Sequence, residues 1–498
     1  MAQVIESAMA TCAPATGTSL PPIEMTTPTD VVEMVQAARR VQSRWRHVPL
    51  RQRAECLRRL AQLLVRRADT LTAQLSEECG KPRFEALVHE VMVAADMARA
   101  WAATAPRALA DEGRSTRLFQ HRQAWVRYQP RGVVAVIAPW NYPLVIALSE
   151  TMAAVVAGNA VVVKASEWSP RTVHTLVGLF ADAGFPDGLV QVALGDGAVG
   201  EALIEARPDL VVFTGSVGVG RRIAARCGEL LIPTLLELGG KAPAIVRGDA
   251  KLSQTAASLL WGAFVHSGQV CVSVERAYIA RRLYAPLCDA LVQRCEALRI
   301  GDPLLPDTDI GALTRPGHSV HLQALVEDAL AKGARLLAGG APLPGPGQRF
   351  APTLLADCTH HMRVMREEIF GPILPLMAVE SDREALALAN DSPLGLAAYV
   401  YSSDRRAARG LAEALEAGVV VINEALIAYS MADLPFGGVK SSGIGRVHGI
   451  EGLRAMCQLQ QINADRWSGP EAWVQFPYSA AKYARWQRAS RWLFGGGR

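Results

Sequence analysis

Between residues 51 and 110 the apolar positions follow a helical rhythm. Leu57, Leu60, Leu64 and Leu71 recur at spacings of three, four and seven, with arginines between them on the face left to water. From residue 132 the pattern changes. Short continuous apolar runs at 132–138, 160–163, 189–193 and 210–213 predict buried strands. Stretches of helical length follow at 144–156, 171–183 and 219–227. A second series begins near Pro243, with strands expected at 277–280, 397–401 and 418–422 and helices at 283–297, 320–332, 382–390 and 404–416. Alternation of this kind predicts parallel, doubly wound α/β sheets, here in two units meeting near residue 240. Residues 339–347, rich in Pro and Gly, read as a surface loop, and residues 1–25, rich in Ala, Thr and Pro, as a disordered lead-in without a signal peptide.

Length supports more than one unit, because 498 residues exceed what a single hydrophobic core usually serves. The longest apolar stretch, 132–165, is broken by Pro139, Asn141, Pro143, Glu150 and Asn159, so strand, loop, helix and strand are expected there rather than a membrane span. A net charge of +5 is small for this length and implies no nucleic-acid partner. Nine cysteines without CxxC pairs argue against a disulfide framework or a metal site and for a reducing, cytoplasmic setting.

Several segments carry groups suited to chemistry, each with a plain structural alternative. Gly268-Gln-Val-Cys271 places a cysteine after a glycine that permits a tight turn; the alternative is an inert core thiol. Glu237 sits in an apolar run ended by Gly239-Gly240, where burial would raise its pKa as a general base requires; the alternative is an exposed strand end. Asn141, in Pro139-Trp-Asn-Tyr-Pro143, follows a strand whose carboxyl end is where open sheets bind ligands, and its amide suits an oxyanion; it could equally be a turn residue. Phe213-Thr-Gly-Ser-Val-Gly-Val-Gly220 is a strand, a Gly-rich turn and a helix start, which can aim N–H groups at a pyrophosphate. Lys164 and Glu167 follow another strand and suit ribose hydroxyls or a solvated charge pair. Glu368-Ile-Phe-Gly-Pro372 and the loop opened by Pro435 read as pocket walls or as turns.

Their joint order resembles the aldehyde dehydrogenase superfamily from about residue 30 to about 465. The resemblance rests on 139–143, Lys164-Ala-Ser-Glu167, Phe213-Thr-Gly-Ser216 with Gly220, Leu236-Glu-Leu-Gly-Gly-Lys241, 268–271, 367–372 and Pro435-Phe-Gly-Gly-Val-Lys440. It implies Cys271 as nucleophile, Glu237 as general base and Asn141 as oxyanion donor with the Cys271 N–H. It further implies NAD or NADP held by Trp140, Lys164, Glu167, Gly215, Ser216, Gly220, Glu368 and Phe370, with no metal. The implied architecture is a Rossmann-like domain (26–113 and 133–240), a catalytic domain (241–440) and a β-hairpin oligomerisation extension (114–132 and 441–465) that builds dimers or tetramers. The hairpin is expected near 116–128, joined by a strand near 455–464.

Glu237 favours hydrolysis over acyl transfer to coenzyme A, and its retention with Cys271 and Asn141 disfavours a non-catalytic homologue. Glu167 would repel the extra phosphate of NADP, so NAD is expected. The loop 423–433 carries no Arg or Lys, which favours an apolar aliphatic or aromatic aldehyde over a semialdehyde acid; the chain is similar in style to a bacterial subgroup acting on long apolar, carotenoid-derived aldehydes. The tail 466–498 mixes Trp467, Trp473, Phe476, Trp486 and Trp492 with basic residues. It suits a peripheral membrane anchor, or a helix packed on its own subunit or its dimer partner.

Overall fold

Runs of small β-branched residues build the first sheet. In the computed structural model, which describes residues 4–5, 8–467 and 474–495, the strands β1 (Val133–Ile137) and β2 (Ala160–Lys164) are buried along their whole length, as parallel strands covered by helices on both faces must be. They are joined by β3 (Val190–Ala193), β4 (Leu210–Thr214) and β5 (Thr234–Glu237) in the spatial order β3-β2-β1-β4-β5. All four pairings are parallel. The chain therefore leaves β1 in one direction and returns on its other side at β4. That switch point opens a crevice at the carboxyl edge of the sheet.

The second sheet comprises β6 (Ala242–Val246), β7 (Val274–Ala280), β8 (Arg335–Ala338), β9 (Thr353–Ala356), β10 (Ile373–Val379), β11 (Ala397–Tyr401) and β12 (Val419–Ile422), in the order β8-β9-β10-β7-β6-β11-β12. Only β8 runs antiparallel to its neighbour. The helical rhythm of 51–110 resolves into Leu50–Arg66, Ala68–Cys79 and Val93–Ala108, with Ala86–Met92 wound as a wider π-helical segment. The expected α/β class, a Rossmann-like sheet followed by a second α/β sheet, is what the chain forms.

Three expectations need correction. Residues 8–24 are not a disordered lead-in: Ala8–Met9 pairs antiparallel with Ile23–Glu24, Ala13, Ala15 and Leu20 are buried, and the Gln348 N–H donates to the Pro14 carbonyl at 2.8 Å. Small residues that read as disorder serve close packing here; a Cβ on Gly347 would lie 2.2 Å from the Ala15 oxygen. The stretch from 441 is likewise not wholly an extension. Its first part adds β13 (Gly443–Ile444) antiparallel to β5, so that Gly443 faces Glu237. The smaller of two compact units is Ala110–Tyr128 with Leu459–Arg498, the larger being Met1–Leu109 with Gln129–Gln458. The smaller sheet starts earlier than expected, at Glu112–Arg114, and has the strand Arg122–Pro130 between that strand and Cys457–Asp465. Within the tail, Ala480–Phe494 is a helix; Trp473 and Arg498 lie outside the described residues. No helix among the described residues is long and apolar enough to cross a membrane.

Candidate functional site

A cavity of about 1000 Å³ occupies the crevice at the β1/β4 switch point. Trp140, Asn141, Lys164, Glu167, Gly215, Ser216, Glu237, Cys271, Glu368 and Phe370 all line it. Of the catalytic and cofactor-binding residues that the resemblance implied, Gly220 alone is absent from its wall. A Cβ there would meet Leu238 Cδ2 at 2.5 Å, so this glycine seats the helix Val217–Glu229 against the β5 end rather than facing the cavity.

Cys271 stands just before β7, half-buried, at the end of a strained turn. His266, Ser267 and Gly268 occupy the left-handed region in succession, with φ of 49°, 53° and 74°. For the two residues with side chains this costs energy that the surroundings must impose. They do so with buried hydrogen bonds. Glu85 accepts from the His266 N–H at 2.8 Å, Gln269 donates to the His266 carbonyl at 3.0 Å, and its Oε1 accepts from the Thr314 N–H at 2.8 Å. Gly268 is required twice over, by its φ and by the Gly371 carbonyl, which would lie 2.1 Å from a Cβ. Asn141 is tied to the same turn: its Nδ2 donates to the Gln269 carbonyl at 2.8 Å. Burial pushes the Cys271 thiol up to about 12, helped by the charges of Glu368 and Glu237, while the N–H groups of Cys271 and Val272 at the sulfur oppose the rise. The thiol is therefore protonated at neutral pH and needs a base or a nearby positive charge before it can attack.

Glu237 ends β5 and is buried, and neither of its carboxyl oxygens meets a hydrogen-bond donor among the described residues. Burial, then the charge of Glu150, holds its pKa well above the usual carboxylate range, with Arg446 opposing. Glu150 is itself pushed up to about 8 by burial. The two acids and Cys271 share a second, small cavity of about 10 Å³, closed by Tyr429, Phe436 and Val447, with room for one water. Gly437 approaches so closely that a Cβ would lie 2.8 Å from Glu237 Oε1, which accounts for the glycine pair after Phe436.

At the far end of the main cavity, Lys164 ends β2, its Nζ 3.7 Å from Glu167 Oε2, and burial lowers its pKa. Ser216 precedes Val217–Glu229 without capping it, which leaves first-turn N–H groups available to a phosphate. Between the ends lies Glu368, whose Oε1 accepts from the Gly240 N–H at 3.0 Å; burial and the charge of Glu275 push it up to about 7. A Cβ on Gly239 would lie 2.7 Å from that oxygen. Trp140 and Phe370 meet edge to face with ring centroids 5.4 Å apart.

Sequence reasoning missed the residues that hold these groups. Glu275 accepts from the Ile369 and Phe370 N–H groups at 2.9 Å and pairs with buried Lys241 at 3.0 Å, fixing the 368–370 loop. Glu90, on the π-helical segment, accepts from the Leu144 and Val145 N–H groups at 2.9 and 3.1 Å and pairs with Lys81, which sits 3.5 Å over the Tyr142 ring. The only signal for Glu275 was a carboxylate inside an apolar strand. Glu90 gave none.

A dinucleotide-type crevice with a thiol and an unpaired acid at one end defines an oxidoreductase of the two-domain α/β class. The chain belongs to the aldehyde dehydrogenase family, whose model matches residues 2–462. It is 39% identical over 489 residues to a 4,4'-diapolycopene aldehyde oxidase of Methylomonas sp, covering 98% of this chain and 91% of that one. Among solved structures it is similar to an NAD-dependent aldehyde dehydrogenase from Sinorhizobium meliloti (TM-score 0.90, 32% identity, 95% and 94% of the two chains). It is equally similar to an E. coli NADP-dependent enzyme (TM-score 0.89, 32% identity, 92% and 95%).

Proposed function

We propose that this chain oxidises an apolar aldehyde to the carboxylic acid with NAD, through a thioester on Cys271. The observation that carries the reading is the placement of Cys271 and Glu237 at one end of a single cavity whose other end is the Gly-rich turn with Lys164 and Glu167. The crevice fits a dinucleotide: uncapped helix N–H groups for the pyrophosphate, Lys164 and Glu167 for the adenosine ribose, Glu368 for the nicotinamide ribose, and Phe370 with Trp140 along the rings. When bound, the cofactor supplies the hydride acceptor.

The protein's own groups do the rest. Glu237 takes the Cys271 proton, and the sulfur adds to the aldehyde carbon. Asn141 and the Cys271 N–H hold the resulting oxyanion; one such donor is typically worth roughly 10²–10³ in rate. Oxidation leaves the thioester. Glu237, once it has released the thiol proton to solvent, deprotonates a water, for which the small adjoining cavity has room. Attack of that water on the thioester carbon expels the Cys271 sulfur and releases the acid. A single base serving both steps needs a proton affinity above that of an ordinary carboxylate, and the burial of Glu237 raises it in that direction.

The substrate reading rests on the wall near Cys271. Ile146, Leu396, Tyr429 and Phe436 line the small cavity there, and 423–433 offers no cation for a second carboxylate. The named Methylomonas relative points the same way, toward a long polyene aldehyde. The strand Cys457–Asp465, exposed along most of its length at the edge of its sheet, supports assembly through pairing with a second copy into a dimer or tetramer. The test is incubation of the purified chain with NAD and a panel of aldehydes from short aliphatic to polyene, reading NADH absorbance, oxygen uptake and acid formation. NADH formed in step with acid, lost in Cys271→Ser, is expected. Acid formed with oxygen uptake and no NADH would assign a different electron acceptor.

A further inference from the structure

The positive charge of this chain has an address. Six of its 52 Lys and Arg, but one of its 47 Asp and Glu, fall in residues 466–498, which leaves residues 1–465 with 46 of each. The catalytic reading uses none of these tail residues. Within 474–495 there is no carboxylate at all, and four cations stand on or beside the helix Ala480–Phe494: Lys482, Arg485, Arg488 and Arg491.

The helix is set by its sequence. Ser479 caps it, its hydroxyl accepting from the Lys482 N–H at 3.1 Å, and Gly495 ends it. At about 100° per residue, Tyr483, Trp486, Leu493 and Phe494 fall on one face, and Arg485, Arg488 and Arg491 on the other with Trp492 among them, while Lys482 stands at the border. No residue of the helix is buried. Leu493, Phe494 and Tyr483 are 43%, 68% and 71% exposed, and Phe476 and Tyr478 ahead of the helix extend the apolar surface, their rings 4.6 Å apart. An exposed apolar patch of this kind marks an interaction surface.

We propose that 474–495 docks on the surface of an anionic lipid bilayer, with the aromatic face at the headgroup level and the arginines toward phosphates. Aromatic side chains with an apolar body and a polar edge suit that depth, and an opposite face that carries three arginines beside Trp492 and no carboxylate suits a negatively charged leaflet. A symmetric contact through the aromatic faces would gather eight cations around one pair of helices with no carboxylate among them to offset the repulsion. Residues 1–465 carry no net excess of acids that would draw the helix toward another copy as a whole, whereas an anionic leaflet is negative throughout. The charge pattern thus selects the lipid over the protein.

The experiment is cosedimentation of the full chain with vesicles of phosphatidylcholine alone and of phosphatidylcholine with phosphatidylglycerol, alongside light scattering. Each cation near an anionic surface is worth about fivefold in partitioning, so Arg485→Gln with Arg488→Gln and Arg491→Gln weakens binding on the order of 100-fold. The expected result is binding to the mixed vesicles, weakened by salt, by that triple variant and by Trp486→Ser with Leu493→Ser and Phe494→Ser. Turnover of a short water-soluble aldehyde stays unchanged in both variants, which shows that the site is intact. No sedimentation with mixed vesicles, equal binding to both vesicle types, or binding indifferent to both variants overturns the proposal. A drop in oligomeric mass in the serine variant without loss of vesicle binding also overturns it and makes the face an interface between copies.

Discussion

Replacing Gly268 by alanine tests whether the turn before Cys271 is a positioning device. The residue sits at φ 74°, where a side chain costs about 1–2 kcal/mol. The new Cβ would lie 2.1 Å from the Gly371 oxygen, against an ordinary contact of 3.4 Å or more, so the turn or the 371–372 backbone must yield by about 1 Å. Overpacking of this kind adds about 1–3 kcal/mol, for a total near 2–5 kcal/mol. The catalytic effect follows from the same displacement. Gln269, whose carbonyl receives Asn141, is the next residue, and Phe370 adjoins Gly371, so the sulfur, the proposed oxyanion donor Asn141 and the cavity wall lose register together. A 1 Å error in such a constellation costs on the order of 10² in rate. The assay is kcat with NAD and a good aldehyde, well below the denaturation midpoint, with circular dichroism and thiol titration to show a folded chain. A folded Gly268→Ala protein with unchanged kcat would refute the idea that this backbone places the nucleophile.

Glu237→Gln should spare binding but slow turnover by roughly 10²–10⁴ by removing the base; rapid quench should show whether thioester builds up. Glu167→Gln should raise kcat/KM with NADP relative to NAD by about tenfold if the carboxylate repels the extra phosphate, and an unchanged ratio would move that discrimination elsewhere. Glu150, pushed up to about 8 when folded, keeps a proton between about pH 4.5 and 8 that the unfolded chain has lost. The unfolded state then binds fewer protons, so this group's contribution to stability falls as pH rises through that window. Glu150→Gln should remove about 1 kcal/mol per pH unit of that slope, measured by denaturant titration at about pH 5.5 and about pH 7.5. Glu275→Gln should free the 368–370 loop and raise KM for NAD at least severalfold while leaving Cys271 reactive toward a small alkylating reagent.

Legibility tracked how locally each feature is determined. Strands such as β1 and β2 are continuous Val and Ala runs, so their burial on both faces is written in five consecutive residues. The glycine-bearing loops were legible because close backbone approach leaves a residue-type signature, as at Gly239 beneath Glu368 or Gly437 beside Glu237. Strands β8 and β9 escaped because they are short, and β10 because it contains Pro375, which argues against a central strand in isolation. Residues 8–24 misled because alanines chosen for tight packing and alanines of a solvated tail look alike in composition. The ionic scaffold was invisible for a different reason. Glu85 and Glu90 meet their partners 181 and 54–55 residues away, and nothing near either carboxylate in the chain announces that distance.

The π-helical segment Ala86–Met92 gives the amino-terminal helices an unexpected hold over the cleft. Its extra residue per turn aims Glu90 at the start of the helix Pro143–Ala157, directly behind Pro139-Trp-Asn-Tyr-Pro143. Deleting one residue there would relax the segment into an ordinary helix, leave the helix Val93–Ala108 close to its present register and turn Glu90 away from the Leu144 and Val145 N–H groups. The result would be a more regular polypeptide whose loop 139–143 had lost its anchor, so in this chain a helical irregularity is where local order gives way to long-range alignment.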